Sequence, residues 1–595
     1  MRGLYLKHEY AFAALFFLLT QALVFPQLID RYPDTDNYTH AIRLLDLIQS
    51  RVWAEMPYMY SNFPFGEVLH FTRITDVFWG LCAAPLTVLM PLKSAVFWGG
   101  CVFQAVVGML TAAAAVWALK PVVSPFFRLF GAACFLLMPA STETFILSKP
   151  DHHALTALFA LLTIGGMIRA LAGEGKAARS AGLFAALGLW TSVEGAAVAY
   201  AVLLPVVLLW IFNRGSLRPA VDFTAAFFVF SLAFLALNPP YEGFFSPDNG
   251  RLSFLFVAVI ALSALSFAAC ARIKSADWAV RLAAVAGASA VSAAVVLMLF
   301  GTETVFAPWF PPLIKTVWAD SINELKSAFS SRTVFLLVEA ASAAGLACGA
   351  ASFKRADSAE RKVLLLTVLP LLIFAGLSFT ALRYARLSSV FAVFPIAVAG
   401  EMYARRSGAG ERLKSFGAIA VLYGVCAAFL SVNYQSVFRV LNAGLTASPA
   451  MLKPYLPDGQ DALLVESNYG PETVWMTQTP VVGTPYHRNV EGIADGFFML
   501  HDQNAANVVY LLKKHRIRTI ALYAAKFGQP NVLSFDWRGR RRFGLYSGAK
   551  NEFSARLVRG TDLPCGIKPV EPPPLPWLVY QVDFSDCGLA AGSSS

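Results

Sequence analysis

The chain has 595 residues, 57% hydrophobic and 14% charged, with a formal charge of +11 and a mean hydropathy of +0.57. A soluble domain carries about 25% charged residues, so composition excludes an ordinary soluble enzyme and indicates a polytopic membrane protein. The basic excess does not argue for a nucleic-acid partner, because Lys and Arg in such chains mostly set topology.

The first apolar run, YAFAALFFLLTQALVF from Tyr10 to Phe25, lacks a small-residue cleavage site and reads as a retained helix. Further spans are expected at about 96–119, 126–146, 152–172, 180–194, 196–213, 219–238, 253–272, 279–300, 334–351, 362–380, 387–403 and 415–432, after a first at about 9–27. The basic connectors are Lys120 to Arg128, GEGKAAR, NRGSLR, RIKSADWAVR, FKRADSAERK and ARRSGAGERLK. They all fall on one side only if the apolar run 76–92 does not span. That run then lies in, or dips into, the outer interface. The expected fold is a polytopic α-helical membrane protein of about 13 TM helices, with its N-terminus inside and its C-terminus outside. The outer side carries 28–95, 301–333 and a tail over 433–595, so the membrane domain is 1–432. In the tail, ALLVES, RTIALYAA and WLVYQVDF read as strands and NAANVVYLLKKHR as a helix, giving a small α/β domain. Six of the eight Cys lie in or beside apolar runs and act as small hydrophobes. Cys565 and Cys587 lie in the tail, where an extracytoplasmic setting favours a disulfide.

Polar residues collect on the outer side. RYPDTDNYTHAIRLLDL supplies Asp34, Asp36, His40 and Arg43. A DxD pair taken alone is a weak sign; it suits a cation and equally a solvated loop. PDHHA places Asp151 at the start of a span, where an acid also favours the helix dipole. Glu194 sits between two apolar runs, and such an acid is costly unless paired or wetted. Glu324 lies in the second outer piece. Arg383 and Arg386 stand at an outer span end, where snorkelling competes with a binding role. Carboxylates bind hard cations such as Mg²⁺ or Mn²⁺, and Arg grips phosphate. No P-loop or GxGxxG is present outside, so a phosphate there belongs more sensibly to a lipid carrier.

This layout resembles the catalytic subunit of oligosaccharyltransferases, members of the GT-C class of lipid-linked-sugar glycosyltransferases. The resemblance covers nearly the whole chain. The family's first-loop motif, Asp-x-Tyr-x-His, is matched by DNYTH, which puts Asp36 in the catalytic and metal-binding place and His40 in the trailing place. Its second acidic motif is matched by Asp151 and His153 of PDHHA, with His153 replacing an acid. His152 is read as a neighbour facing the lipid headgroups. Its Ser/Thr-Val/Ile-x-Glu motif is matched by Ser321, Ile322 and Glu324, and its phosphate-contacting Arg by Arg383. Its acceptor-reading Trp-Trp-Asp-Tyr-Gly corresponds to ESNYG, where only Tyr469 and Gly470 are kept. An Asn-x-Ser/Thr acceptor therefore does not carry over. The chain also resembles a group of bacterial membrane proteins with HWSRL-like and YHRN-like motifs, here LHFTRITD and Tyr486–Asn489.

The resemblance implies a metal-dependent inverting glycosyltransferase of the bacterial inner membrane, with a periplasmic C-terminal domain. Its donor is a polyprenyl-linked sugar; its acceptor is a protein, lipid or glycan. Catalysis falls to Asp36, Asp151 and Glu324, metal binding to Asp36, Asp151 and His153, and substrate binding to Arg383, His40, Tyr486, His487 and Arg488. The cofactor is Mg²⁺ or Mn²⁺. The rival readings are a polyprenyl-lipid flippase or transporter, which would put charges at the bilayer midplane, and a non-catalytic subunit of an envelope-polysaccharide assembly.

Overall fold

A computed structural model describes residues 8–24, 31–308, 310–330, 332–406, 448–456, 461–523, 533–535, 541–543, 552–574, 576–585 and 587. Twelve of the thirteen expected spans are helical: the first is α1 (Glu9–Val24) and the twelfth is Ala385–Arg406. The thirteenth, at 415–432, and the 432/433 boundary lie outside the described residues. Seven of these helices are long and apolar enough to cross a membrane.

Between α1 and the next span lies α2 (Thr35–Ser50), then α3 (Arg73–Ala83). A 3₁₀ turn, Ala84–Val88, follows, and Pro91 precedes the long α4 (Leu92–Leu119). At 11 residues, α3 reaches about 17 Å, short of the roughly 30 Å hydrocarbon core. The run 76–92 thus forms no single helix long enough to cross a membrane. Leu81, Val88 and Leu89 on it are exposed.

The expected span 126–146 is two helices, α5 (Pro125–Leu137) and α6 (Pro139–Thr144). Pro139 cannot donate to the ladder and forces Met138 to ψ 132°, which ends α5. The break leaves Glu143 and Lys149 beside the start of α7 (His152–Leu171). Then come α8 (Ala177–Thr191), α9 (Glu194–Ile211), α10 (Arg218–Leu237), α11 (Phe254–Cys270) and α12 (Trp278–Val305). After the short α13 (Pro312–Val317), the last described apolar helices are α14 (Arg332–Phe353), α15 (Ser358–Ser378) and α16 (Ala385–Arg406).

The tail holds a four-stranded sheet. Its first strand β1 (Ala462–Leu464) runs parallel to β2 (Ile517–Tyr523). A separate hairpin is β3 (Leu533–Phe535) with β4 (Arg541–Phe543). The main sheet is completed by β5 (Ile567–Pro569) and β6 (Trp577–Val582), in the order β1-β2-β6-β5. The three expected strands and the expected helix, Ala505–Lys514, all form. Val508, Leu512, Ile520 and Leu522 pack into its core. Cys565 and Cys587 are bonded, with Cα atoms 5.8 Å apart, and clip the β5 end to the β6 end.

The segment between α1 and α4 is held by a buried ion network. Arg43 lies 3.2 Å from Asp76 and 3.4 Å from Glu55, Arg73 lies 3.0 Å from Asp76, and Arg251 lies 3.6 Å from Glu55. Asn238 Nδ2 donates to Glu55 at 2.9 Å. Breaking one partner in such a network is costly, because it leaves a buried charge uncompensated. In LHFTRITD, then, Arg73 and Asp76 serve the scaffold.

Candidate active site

Two helix starts make the site. Asp34 and Asp151 each follow a Pro and cap α2 and α7 in extended conformation. Asp34 accepts from the Asp36 N–H at 3.4 Å, and Asp151 from the His153 N–H at 3.4 Å. Asn37 Nδ2 donates to the Pro150 carbonyl at 2.7 Å, which sets one start against the other. Both positive dipole ends therefore meet at the acids. Asp36 and His40 are four residues apart, on one face of α2.

A third acid arrives by close backbone packing. A Cβ on Gly195 would lie 2.1 Å from the carbonyl carbon of Gly188, so α8 and α9 meet there only because residue 195 is glycine. This seats Glu194, at the start of α9, against the site. Arg383 Nε donates to Glu194 Oε1 at 2.6 Å.

Charges then alternate around the rim. Lys149 Nζ lies 3.1 Å from Asp34 and also bonds Glu143. Arg386 Nη2 lies 3.4 Å from Glu143 and 3.3 Å from Glu324. Glu324 is carried by the 3₁₀ turn Asn323–Leu325, which is moored where the Leu382 N–H donates to the Lys326 carbonyl at 2.8 Å. Asp34, Glu143, Glu194 and Glu324 thus share Lys149, Arg383 and Arg386. Among the described residues, no Lys or Arg pairs with Asp36 or Asp151.

Donors suited to a cation lie at the centre. Asp151 Oδ2 is 4.0 Å from His153 Nε2, which is 3.8 Å from Glu324 Oε2. Donors on one ion at about 2.1 Å each can stand up to about 4.2 Å apart, which each of these two pairs meets alone, but Asp151, His153 and Glu324 do not close as one set. His40, Asp151 and His152 also offer ligand atoms within 4.8 Å of one another. His152 does not face the headgroups. It is buried, with Nδ1 2.6 Å from Asp151 Oδ1 and 3.4 Å from His40 Nε2. The α7 helix is buried nearly all round at its start, so adjacent histidines both turn inward.

The electrostatics agree. Burial, and then the charges of Asp34, Asp151 and Glu324, push the Asp36 carboxyl well above its ordinary range. A neighbouring positive ion would relieve that repulsion. Burial and the adjacent His152 push His40 down to about 3, which keeps it a neutral imidazole.

Tyr486 OH donates to Asp36 Oδ1 at 3.1 Å. The His487 ring lies tilted against His70 at 4.6 Å and meets Phe310 at 5.9 Å. Burial and Arg488 push it down to about 4. Arg488 is engaged elsewhere: its Nη2 lies 2.6 Å from both oxygens of Asp248. In ESNYG, the Tyr469 ring meets Tyr523 and Trp577, each at 5.7 Å. Glu472, just beyond, accepts from Arg31 Nε at 2.9 Å. The Tyr469 ring and Glu472 are thus used in contacts within the protein, while Asn468 is exposed. Asp36, His40, Asp151, His153, Glu324, Arg383, Tyr486 and His487 thus form one region around the two helix starts, and His152, Glu143 and Lys149 join them.

No protein-family model matches the chain, and no curated protein matches it. Solved structures do. The Archaeoglobus fulgidus oligosaccharyltransferase AglB, in complex with an inhibitory peptide and a dolichol-phosphate, aligns with a TM-score of 0.70 at 13% identity, over 93% of this chain and 78% of that one. Its apo form gives 0.69 at 13%, over 94% and 79%. Its complex with Zn and sulfate gives 0.65 at 13%, over 93% and 77%. The chain therefore has the oligosaccharyltransferase-like GT-C fold.

Proposed function

We propose that the chain is a membrane glycosyltransferase that moves a sugar or oligosaccharide from a polyprenyl-phosphate or polyprenyl-diphosphate carrier to an acceptor. The reaction takes place on the outer face of a bacterial inner membrane, with the N-terminus inside and residues 433–595 in the periplasm. The fold supports the reaction class: the similar AglB structures were solved with a dolichol-phosphate and with Zn and sulfate.

The observation that carries the reading is the pair of acids, Asp36 and Asp151, left without a Lys or Arg partner at two converging helix starts. A divalent ion there would be held by Asp36, Asp151 and His153, with Glu324 in reach of His153, and would supply charge stabilisation for the departing phosphate. Arg383 adds positive charge on the same side. Asp36 orients the acceptor and takes its proton, the role that the first-loop acid has in the resemblance. A single displacement of this kind inverts the anomeric centre. The departure at ESNYG supports an acceptor other than an Asn-x-Ser/Thr peptide, because Tyr469 and Glu472 are used for packing.

Purified protein incubated with polyprenyl-diphosphate sugars should, with water standing in for the acceptor, release the sugar from its carrier. Asp36→Ala and Asp151→Ala should abolish that release while keeping a cooperative thermal transition. Normal turnover by both variants would refute the site.

A further inference from the structure

The segment from Thr484 to Asn489 sends successive polar side chains to separate parts of the outer face. Thr484 Oγ1 donates to Glu67 Oε1 at 2.6 Å and lies 2.6 Å from Ser61 Oγ. Asn489 Nδ2 donates to Ser61 Oγ at 2.8 Å, while its Oδ1 accepts from the Gly492 N–H at 3.0 Å and caps Val490–His501. Arg488 is locked on Asp248. Backbone bonds add to this, from the Asn62 N–H to Val482 O and from the Val481 N–H to Tyr60 O, both 2.9 Å. Ser61, Thr484, Tyr486 and Asn489 are all buried, so the loop has one register. The Tyr486 ring is also set edge-on against Phe71, at 5.3 Å and 84°. Its hydroxyl therefore has a fixed place, and that place is 3.1 Å from Asp36 Oδ1.

Asp36 needs such a partner. The terminal torsion of an Asp is broad and roughly two-fold, so the carboxylate has no preferred orientation of its own. Its nearest charges, Asp34, Asp151 and Glu324, repel it. A phenol donor on one oxygen fixes the plane and offsets part of that repulsion. We propose that Tyr486 is a positioning residue for Asp36: it holds Oδ1 so that Oδ2 is presented to the cation. The proposal rests on the reading of Asp36 as a cation ligand. Outer partners of metal-bound carboxylates typically account for about 10–100-fold in metal affinity.

The test is Mn²⁺ binding to the purified full-length protein, followed by electron paramagnetic resonance, with thermal transitions recorded without metal. Tyr486→Phe removes only the hydroxyl and should weaken Mn²⁺ about 10–100-fold. Asp248→Asn weakens the same loop's hold on a neighbouring segment without touching Asp36 or Tyr486, and should leave Mn²⁺ affinity at the wild-type value. Wild-type affinity in Tyr486→Phe, or equal weakening in both variants, overturns the positioning role and leaves the cation reading standing. Wild-type affinity in Asp36→Asn, or no binding by the wild type, overturns the cation reading and the positioning role with it.

Discussion

Glu67→Gln should stabilise the protein near neutral pH and do nothing in acid. Glu67 is 5% exposed, where the segment between α1 and α4 meets Val481–Asn489. Its Oε1 accepts from Thr484, and its Oε2 is buried without a partner. Burial pushes its carboxyl from 4.5 up to about 8, against the smaller opposing pull of Thr484 and Ser61. The folded protein thus holds this proton more tightly than the unfolded chain. The resulting stability is complete below the unfolded value of 4.5 and is lost as pH rises through 8. At pH 7 the loss approaches 1.36 kcal/mol for each of the roughly 2.5 pH units above the unfolded value, about 3 kcal/mol in all. Gln has the same shape and does not titrate. The assay is thermal unfolding in detergent, followed by tryptophan fluorescence, at several values from about pH 4.5 to about pH 8. Burial also pushes Asp46 up to about 6, but Asp46 titrates in both proteins and cancels from the difference. The two curves should coincide in acid and separate steadily toward pH 8. Parallel curves would mean that Glu67 is ionised in the folded state, and the reasoning would fail.

Arg383→Ala should destabilise by about 3 kcal/mol, because it leaves the buried Glu194 without its 2.6 Å partner. Arg383→Ala with Glu194→Ala should recover part of that loss in the same thermal assay, and a simple sum of the two losses would count against the pairing. Replacing both Cys565 and Cys587 by Ser opens a link across a sequence separation of 22. Loop entropy puts the cost at about 3 kcal/mol, which should appear as faster proteolysis of the tail.

The helices were legible because apolar runs and basic connectors are dictated by a bilayer. The positive-inside pattern set 76–92 apart from the spans, and that run folds as the short α3 and a 3₁₀ turn. The break at Met138–Pro139 was legible in principle, since a Pro signal stood inside the expected span. Long-range partners were not. Nothing in the sequence links Asn37 to Pro150 or Tyr486 to Asp36, 450 residues apart, because side-chain contacts of that separation follow from packing. His152 was misread for a related reason. At a helix start buried nearly all round, the period of 3.6 no longer divides residues into an inner and an outer face. The resemblance of LHFTRITD to a motif gave no role for Arg73 and Asp76, which pair with Glu55 and Arg43 in the scaffold.

Asp151 shows why the plain and the chemical readings of one residue need not compete. It is an N-cap, and an Ala at that position costs about 1 kcal/mol in helix stability. It is also a buried acid, 4% exposed, among donors that fit a cation. Asp151→Ala removes both roles, so loss of activity in that variant alone is ambiguous. Asn caps a helix as well as Asp does but carries no charge. Asp151→Asn should therefore keep the wild-type thermal transition, with its side-chain oxygen still accepting from the His153 N–H, and lose both Mn²⁺ binding and sugar release. An Asn variant that transfers sugar normally, beside an Ala variant that does not, would reduce Asp151 to a cap and leave Asp36 to bear the chemistry without it.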